Sequence, residues 1–396
     1  MMRPSLLVCV LGLSSILMVA CTTLQRPGVP ARIVQREEIG SVHETRFNPL
    51  ETGSVEGVTQ THPVTHTAAV VRIPPASETL TAESHDEAGM ADFYYKKGDY
   101  KRSIALLSDA VAKDETNAGL WRNLGSAYAM DSDFDNAVTC FESALKRNQI
   151  DTKSYYDLSV VQGWKGSLPQ AESAAKKGLV LEPTHGGLHS SLGNVYDDEG
   201  HPDLAFQEYA AALKINPNDT VTRFNRGGLH FKRKELGDAE SDFNRVLKLA
   251  PKDLEAAQNL AAVYIVQNRL TEAETLNQWV LRQKPKDEDT LENAYFNLGI
   301  IYDRRNKVEH ALNMYQLALQ VAPWDAAAYV NAAVILERLN RRSEALAYWE
   351  KYQRLFPASR RVGEISKRID ILRKLVALEK EGHSAPNKPL EKNHGS

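Results

Sequence analysis

Apolar residues return every three or four positions along most of this chain, in blocks of about a dozen residues separated by short polar turns. That period marks amphipathic helices. The blocks themselves recur. Prolines fall at Pro183, Pro217, Pro251 and Pro285, always 34 residues apart, and Pro323 and Pro357 continue the series after a four-residue slip. Alanines keep the same step at Ala137, Ala171, Ala205, Ala239 and Ala273, then at Ala311 and Ala345. A small residue holds a further place: Gly125, Ser159, Gly193, Gly227 and Ala261, then Gly299 and Ala333. A constant step of this length predicts a stack of identical supersecondary units. Units begin near Ser84, Ala118, Thr152, Gly186, Thr220, Leu254, Glu292 and Ala326. The first is degenerate, with Ser103 where the others carry alanine, as expected of an end unit. The slip lies in 286–291 and reads as a lengthened turn between the sixth and seventh units.

Each unit is expected to pair two amphipathic helices. Small residues where they cross let the axes approach, so that larger neighbours interlock. Proline ends the second helix, because it lacks an amide proton and disfavours helix in the residue before it. One pair cannot bury its apolar face alone; stacking supplies a continuous core. After Pro357, the positions Val362, Ile365, Ile369, Leu372 and Val376 predict an amphipathic helix that caps the stack. It is too short for the three to four heptads of a dimerising coiled coil. The tail, 382–396, is polar and predicted to be disordered.

The run Tyr295-Phe296-Asn297-Leu298-Gly299-Ile300-Ile301-Tyr302, followed by Ala311, Tyr315, Ala318 and Pro323, resembles the signature of the tetratricopeptide repeat (TPR). The resemblance implies an all-α, right-handed solenoid of about eight helix-turn-helix repeats over 84–357, closed by a capping helix over 358–381. In that family the first helix of each repeat lines a concave groove. Its sixth position here reads Asn123, Asp157, Ser191, Asn225, Asn259, Asn297 and Asn331. Five asparagines would form a ladder similar to that of the superhelical domain of O-linked N-acetylglucosamine transferases. An asparagine amide both donates and accepts, so it can pair with a peptide backbone. The alternative is that these amides satisfy neighbouring groups. Tyr156, Trp164, Phe224, Phe231 and Phe296 are the aromatic groove candidates. Arg122 and Lys153 lie towards the N-terminal end, and Asp197 and Asp198 make one end of the fourth repeat acidic. The lysine-asparagine set by which chaperone-binding members clamp a terminal carboxylate is not recognisable.

The first residues carry a different pattern. Arg3 precedes a short apolar run, Ser5 to Val19, below the roughly 20 residues of a spanning helix. The run ends Leu17-Met18-Val19-Ala20-Cys21, which resembles the cleavage box of bacterial lipoproteins. That implies a signal peptide over 1–20 and a lipidated Cys21. Thr22 follows in place of the aspartate that favours inner-membrane retention, so the resemblance implies an outer-membrane anchor facing the periplasm. Residues 21–83 are rich in Thr, Pro, Val, Gly and Ser and predict a disordered linker. As flexible coil its reach is on the order of 40–45 Å.

Composition narrows the function. Lys and Arg total 48 against 51 Asp and Glu, a net charge of −3, which argues against a nucleic-acid binder held by bulk charge. Three cysteines make no disulfide framework or metal-ligand pair. Cys140 reads as a buried thiol. His185 and His189 are four apart, but Gly186 and Gly187 intervene and no third ligand is placed. Phosphate-loop, dinucleotide and serine-hydrolase motifs are missing, and repeats and cap occupy 84–380, so no stretch remains for a catalytic domain. The expectation is a non-catalytic scaffold without metal or cofactor. It would bind protein or peptide segments in its groove and the membrane through its lipid, and take no nucleic acid or small-molecule substrate. The whole resembles bacterial TPR lipoproteins that help assemble type IV and Tad pili. An adaptor for cell-wall hydrolases or proteases is the alternative, and a TPR-associated enzyme such as a glycosyltransferase the third.

Overall fold

The structure, a computed structural model, describes residues 87–359 and 361–381. The signal segment, Cys21, the linker to residue 83, Ser84 and the tail lie outside the described residues. Within them the chain forms seventeen helices and no strand. The first helices of the eight pairs are α1 (Glu87–Lys96), α3 (Ala118–Met130), α5 (Thr152–Trp164), α7 (Gly186–Asp198), α9 (Thr220–Lys232), α11 (Leu254–Val266), α13 (Glu288–Arg304) and α15 (Ala326–Arg338). The second helices are α2 (Tyr100–Lys113), α4 (Phe134–Arg147), α6 (Leu168–Leu181), α8 (Pro202–Ile215), α10 (Leu236–Leu249), α12 (Leu270–Arg282), α14 (Val308–Val321) and α16 (Arg342–Leu355). Helix α17 (Val362–Lys380) closes the stack.

The same local chemistry starts and turns every pair. Asn117, Asp151, Asp219, Asp253 and Asp325 cap their first helices by accepting from amides in the first turn. His185 takes that role in the fourth repeat, its Nδ1 accepting from the Leu188 amide at 3.1 Å. Between the two helices one residue turns left-handed: Gly98, Ser132, Gly166, Gly200, Lys234, Asn268, Asn306 and Asn340. These are the fifteenth residues of the eight units, so the degenerate first unit is built like the rest. Glycine and asparagine suit positive φ; Ser132 and Lys234 do not.

The slip is corrected by the structure. Residues 288–291 do not lengthen a turn; they add one turn to the start of α13, which has 17 residues where most first helices have 13. Asp287 caps this longer helix by accepting from the Thr290 amide at 2.9 Å and its hydroxyl at 2.7 Å. The polar run Asp287-Glu288-Asp289-Thr290 is therefore a helix start, with acidic residues where the macrodipole favours them.

Helix pairs cross where a glycine meets a ring. A Cβ added at Gly299 would lie 2.5 Å from Tyr315 Cε1, and one at Gly193 2.6 Å from the Tyr209 ring. Gly125 faces Phe141 and Gly227 faces Phe243 in the same way. Tyr209, Tyr315, Phe141 and Phe243 are all fully buried.

Above these crossings the core is unevenly joined. One apolar cluster runs without interruption from Phe231 on α9 to Leu372 on α17. Three smaller clusters lie on the N-terminal side, the last of them reaching Leu229 on α9. The closing helix buries Ile365, Ile369, Leu372 and Val376. Its Arg368 grips Glu337 of α15 at 2.6 and 3.0 Å, and Glu337 also accepts from Trp349 Nε1 at 2.6 Å.

Gly299→Ala should destabilise the protein by about 1–3 kcal/mol, because the Tyr315 ring has no space to retreat into; a chemical denaturation midpoint unchanged by the substitution would refute the crossing. Lys234→Gly should instead stabilise by about 1 kcal/mol, since it removes the left-handed penalty of a side chain. Parallel melts of variant and wild type check the sign.

Candidate peptide-binding groove

Hydrogen bonds and ion pairs join first helices α5 to α7, α7 to α9, α11 to α13 and α13 to α15 along the wall that the first helices form. Ser159 Oγ and Ser191 Oγ lie 2.7 Å apart. Thr222 Oγ1 and Ser190 Oγ lie 2.7 Å apart, and Asn225 Nδ2 donates to Asn194 Oδ1 at 2.8 Å. Lys232 bridges to Asp197 at 3.0 Å, and Gln258 donates to the Thr290 carbonyl at 2.7 Å. Arg338 pairs with Asp303 at the far end.

The predicted asparagines do not form a uniform ladder on this wall. Asn225 is buried and bound to Asn194, which also accepts from Tyr209 Oη at 2.8 Å. Asn297 turns its Nδ2 to Asn277 of α12, at 3.4 Å. Asn123 keeps its Oδ1 buried without a hydrogen-bond partner. Asn259 is buried, and Asn331 is half-buried.

The aromatics divide more sharply. Phe296 is fully buried edge-on against Tyr315, 5.5 Å between ring centres, so its placement in the groove is corrected: it is core. Phe231 is also buried, within the long C-terminal cluster, and the same correction applies. Phe224 is half-buried and stacks edge-on with Phe243 at 5.6 Å; Trp164 packs on Phe134 at 5.8 Å. Tyr156 is half-buried beside the His185 ring, 5.8 Å away. Burial holds its phenol above the usual tyrosine range, and the Asp157 charge adds to this.

The wall carries two carboxylates without hydrogen bonds. Asp157 is 5% exposed, and burial pushes it up to about 7, opposed by the charge of Arg122 and reinforced by that of Asp151. Arg122 itself sits 4.0 Å from Asp151. Asp198 is exposed, yet crowding by surrounding protein and the charge of Asp197 raise it to about 6. Exposure together with crowding is what a concave wall produces.

Other candidates have structural roles. His189 lies 2.6 Å from Glu208 and 3.0 Å from the Pro183 carbonyl, and His185 is a helix cap. Cys140 is buried, which raises its thiol to about 12 and leaves it unreactive. Among the described residues His230, Glu235 and Asp238 come close enough to share a cation, but Arg233 already pairs with Glu235 at 3.0 Å. The sequence reading missed the buried Asp242, which holds Arg226 at 2.7 Å and Arg223 at 3.2 Å. The available signal was an acidic residue beside Phe243, on the buried stripe of α10. No helix among the described residues is long and apolar enough to cross a membrane.

Comparison with known proteins gives one consistent family. Descriptions of the tetratricopeptide repeat match residues 89–151, 188–219, 230–291, 294–326 and 327–359, together more than half of the chain. Heat shock protein STI1 of Saccharomyces cerevisiae is 29% identical over 150 residues, which is 35% of this chain and 25% of that protein. Type IV pilus assembly protein PilF of Pseudomonas aeruginosa is 28% identical over 86 residues, 22% of this chain and 34% of that protein. The chain thus spans only about a quarter to a third of the length of these curated relatives. A solved chain of the APC/C hetero-tetramer Cut9-Hcn1 superimposes with a TM-score of 0.55 at 14% identity, over 72% of this chain and 55% of that one; this likeness shows the fold.

Asp157 makes stability depend on pH. Its folded value, about 7, lies above its unfolded one, so the native state holds the extra proton between roughly pH 4 and 7. Its contribution is therefore fully present at acid pH and lost as pH rises towards 7. Asp157→Asn should gain on the wild type from pH 4 to 7 and hold a constant lead above that. Paired melts across this range test it, and a lead independent of pH would refute the assignment.

Proposed function

This chain belongs to the tetratricopeptide repeat family, and from that premise we propose that it is a non-catalytic, membrane-tethered scaffold whose inner wall captures a segment of a partner protein. The observation that carries this reading is the wall itself. Side-chain bonds join its first helices from α5 to α9, and along it Lys153, Asp157 and Asp198 make no side-chain hydrogen bond to any described residue. Polar groups held ready on a rigid concave surface suit an extended peptide, whose backbone and side chains both need partners.

The tether is proposed from the lipoprotein-like segment ending in Cys21. Acyl chains on that thiol would fix the protein to the outer membrane, facing the periplasm. The following residues, to 83, would set the reach of the body. Tethering raises the local concentration of the groove and adds avidity without new contacts. Assembly of a pilus or secretion machine is the role favoured, supported by the likeness to a pilus assembly protein.

The test is fractionation of the native host carrying the full chain or its Cys21→Ser variant, followed by cross-linking and mass spectrometry. The wild type should sediment with outer membrane and yield pilus or secretion components, and the variant should leave the membrane. Unchanged sedimentation of Cys21→Ser would overturn the anchor. Cell-wall hydrolases among the partners would replace machine assembly with the adaptor role.

A further inference from the structure

We propose that the inner wall over the second to fourth repeats receives a lysine or arginine side chain from an extended partner segment, with Asp157 as its counter-charge. This rests on the groove reading above and names the chemistry of what the groove takes.

Asp157 is the anomaly that points there. It is 5% exposed and accepts no hydrogen bond from any described residue, yet its oxygens are not sealed from solvent. A carboxylate stripped of water and given no donor is costly, and buried polar groups in native proteins are nearly always paired. Two repeats further on, the same place is closed, because Asn225 donates to Asn194. At Asp157 that bond cannot form. A carboxylate only accepts, and Ser126, the counterpart of Asn194, donates to its own Arg122 carbonyl at 3.1 Å. On the neighbouring α3, Asn123 Oδ1 is likewise a buried acceptor without a partner. Of these two acceptors Asp157 is the one whose oxygens stay open to solvent, and so the one a partner's donor can reach.

A carboxylate takes its strongest hydrogen bonds from a cationic donor. Four charged or titratable groups face Asp157 besides its neighbour Tyr156: Arg122, Asp151, Lys153 and, from α1, Tyr95. Arg122 and Asp151 stand 4.0 Å apart and offset one another. Lys153 is exposed at the start of α5. Tyr95 and Tyr156 both feel the Asp157 charge, so aromatic side chains lie in its neighbourhood, and such rings suit guanidinium or ammonium. Further along the wall Asp198 is exposed and unpaired, while Asp197 is held by Lys232, so the approach carries negative charge. A metal ion fits less well, since among the described residues no group of three histidine, cysteine or carboxylate ligands includes Asp157.

The test uses the full chain and an array of acetylated, amidated nine-residue peptides that differ only at the central residue: lysine, arginine, norleucine, acetyl-lysine or glutamate. Wild type should bind the lysine and arginine peptides about tenfold more tightly than norleucine. Asp157→Asn should bring that ratio to about one, with a melting temperature no lower than wild type; Asp157→Ser repeats the comparison with a smaller side chain. A wild-type ratio of one, or a ratio unchanged in both variants, overturns the proposal. Equal binding of all peptides removes the cation preference and leaves groove capture standing. Failure to bind any peptide removes both.

Discussion

Everything in this array depends on how closely two helices can cross. Where the first helix offers glycine, the second offers a ring, and the ring lies on the glycine backbone with no space for a methyl group. Other repeats fill the two places differently. Ser159 in the third repeat stands opposite a stretch carrying Ala171 and Ala175, and its hydroxyl donates to the Ala171 carbonyl at 2.9 Å. In the sixth repeat Ala261 takes the glycine place, and Asn277 replaces the ring, donating to the Ala273 carbonyl. Crossing distance is thus set pair by pair by the side chains that meet there, as close packing demands. Because each pair is the template for the next, that one distance propagates into the wall.

The wall's chemistry follows from what the neighbouring repeat supplies. Between the third and fifth repeats, hydroxyl and amide contacts join the first helices beside a small apolar cluster; from α9 onward the apolar cluster is much larger. Inter-repeat ion pairs recur at the turns: Lys165 with Asp135, Arg233 with Asp203, Arg269 with Glu240, Arg305 with Glu274 and Arg341 with Glu309. Arg269–Glu240 and Arg305–Glu274 are half-buried and the others more exposed, and the similar spacing of all five keeps adjacent pairs in register.

Spacing made the fold legible and left the site obscure. Recurring proline, alanine and glycine disclosed eight pairs and the closing helix, because those residues answer to backbone and crossing constraints that repeat with the chain. The slip was located correctly and misread, since a polar run looks alike as turn or as helix start until Asp287 is seen to cap it. The groove was harder. Position within a helix tells which face a side chain leaves from, not what the adjacent repeat places in front of it. Phe296 left the expected face and met Tyr315; Asn225 met Asn194; Asp157 met no donor. That difference arises between repeats, where the period carries no information.

The break in the apolar core at α9 gives the molecule an order of mechanical yielding. A pull entering from the N-terminal side meets small clusters joined through hydroxyl groups before it reaches the long cluster behind them. Each unit that lets go frees 34 residues, about 110–120 Å of extended chain. The leading repeats can thus lengthen in steps and absorb a jolt. The trailing block, latched by Arg368 on Glu337, keeps its shape and its grip.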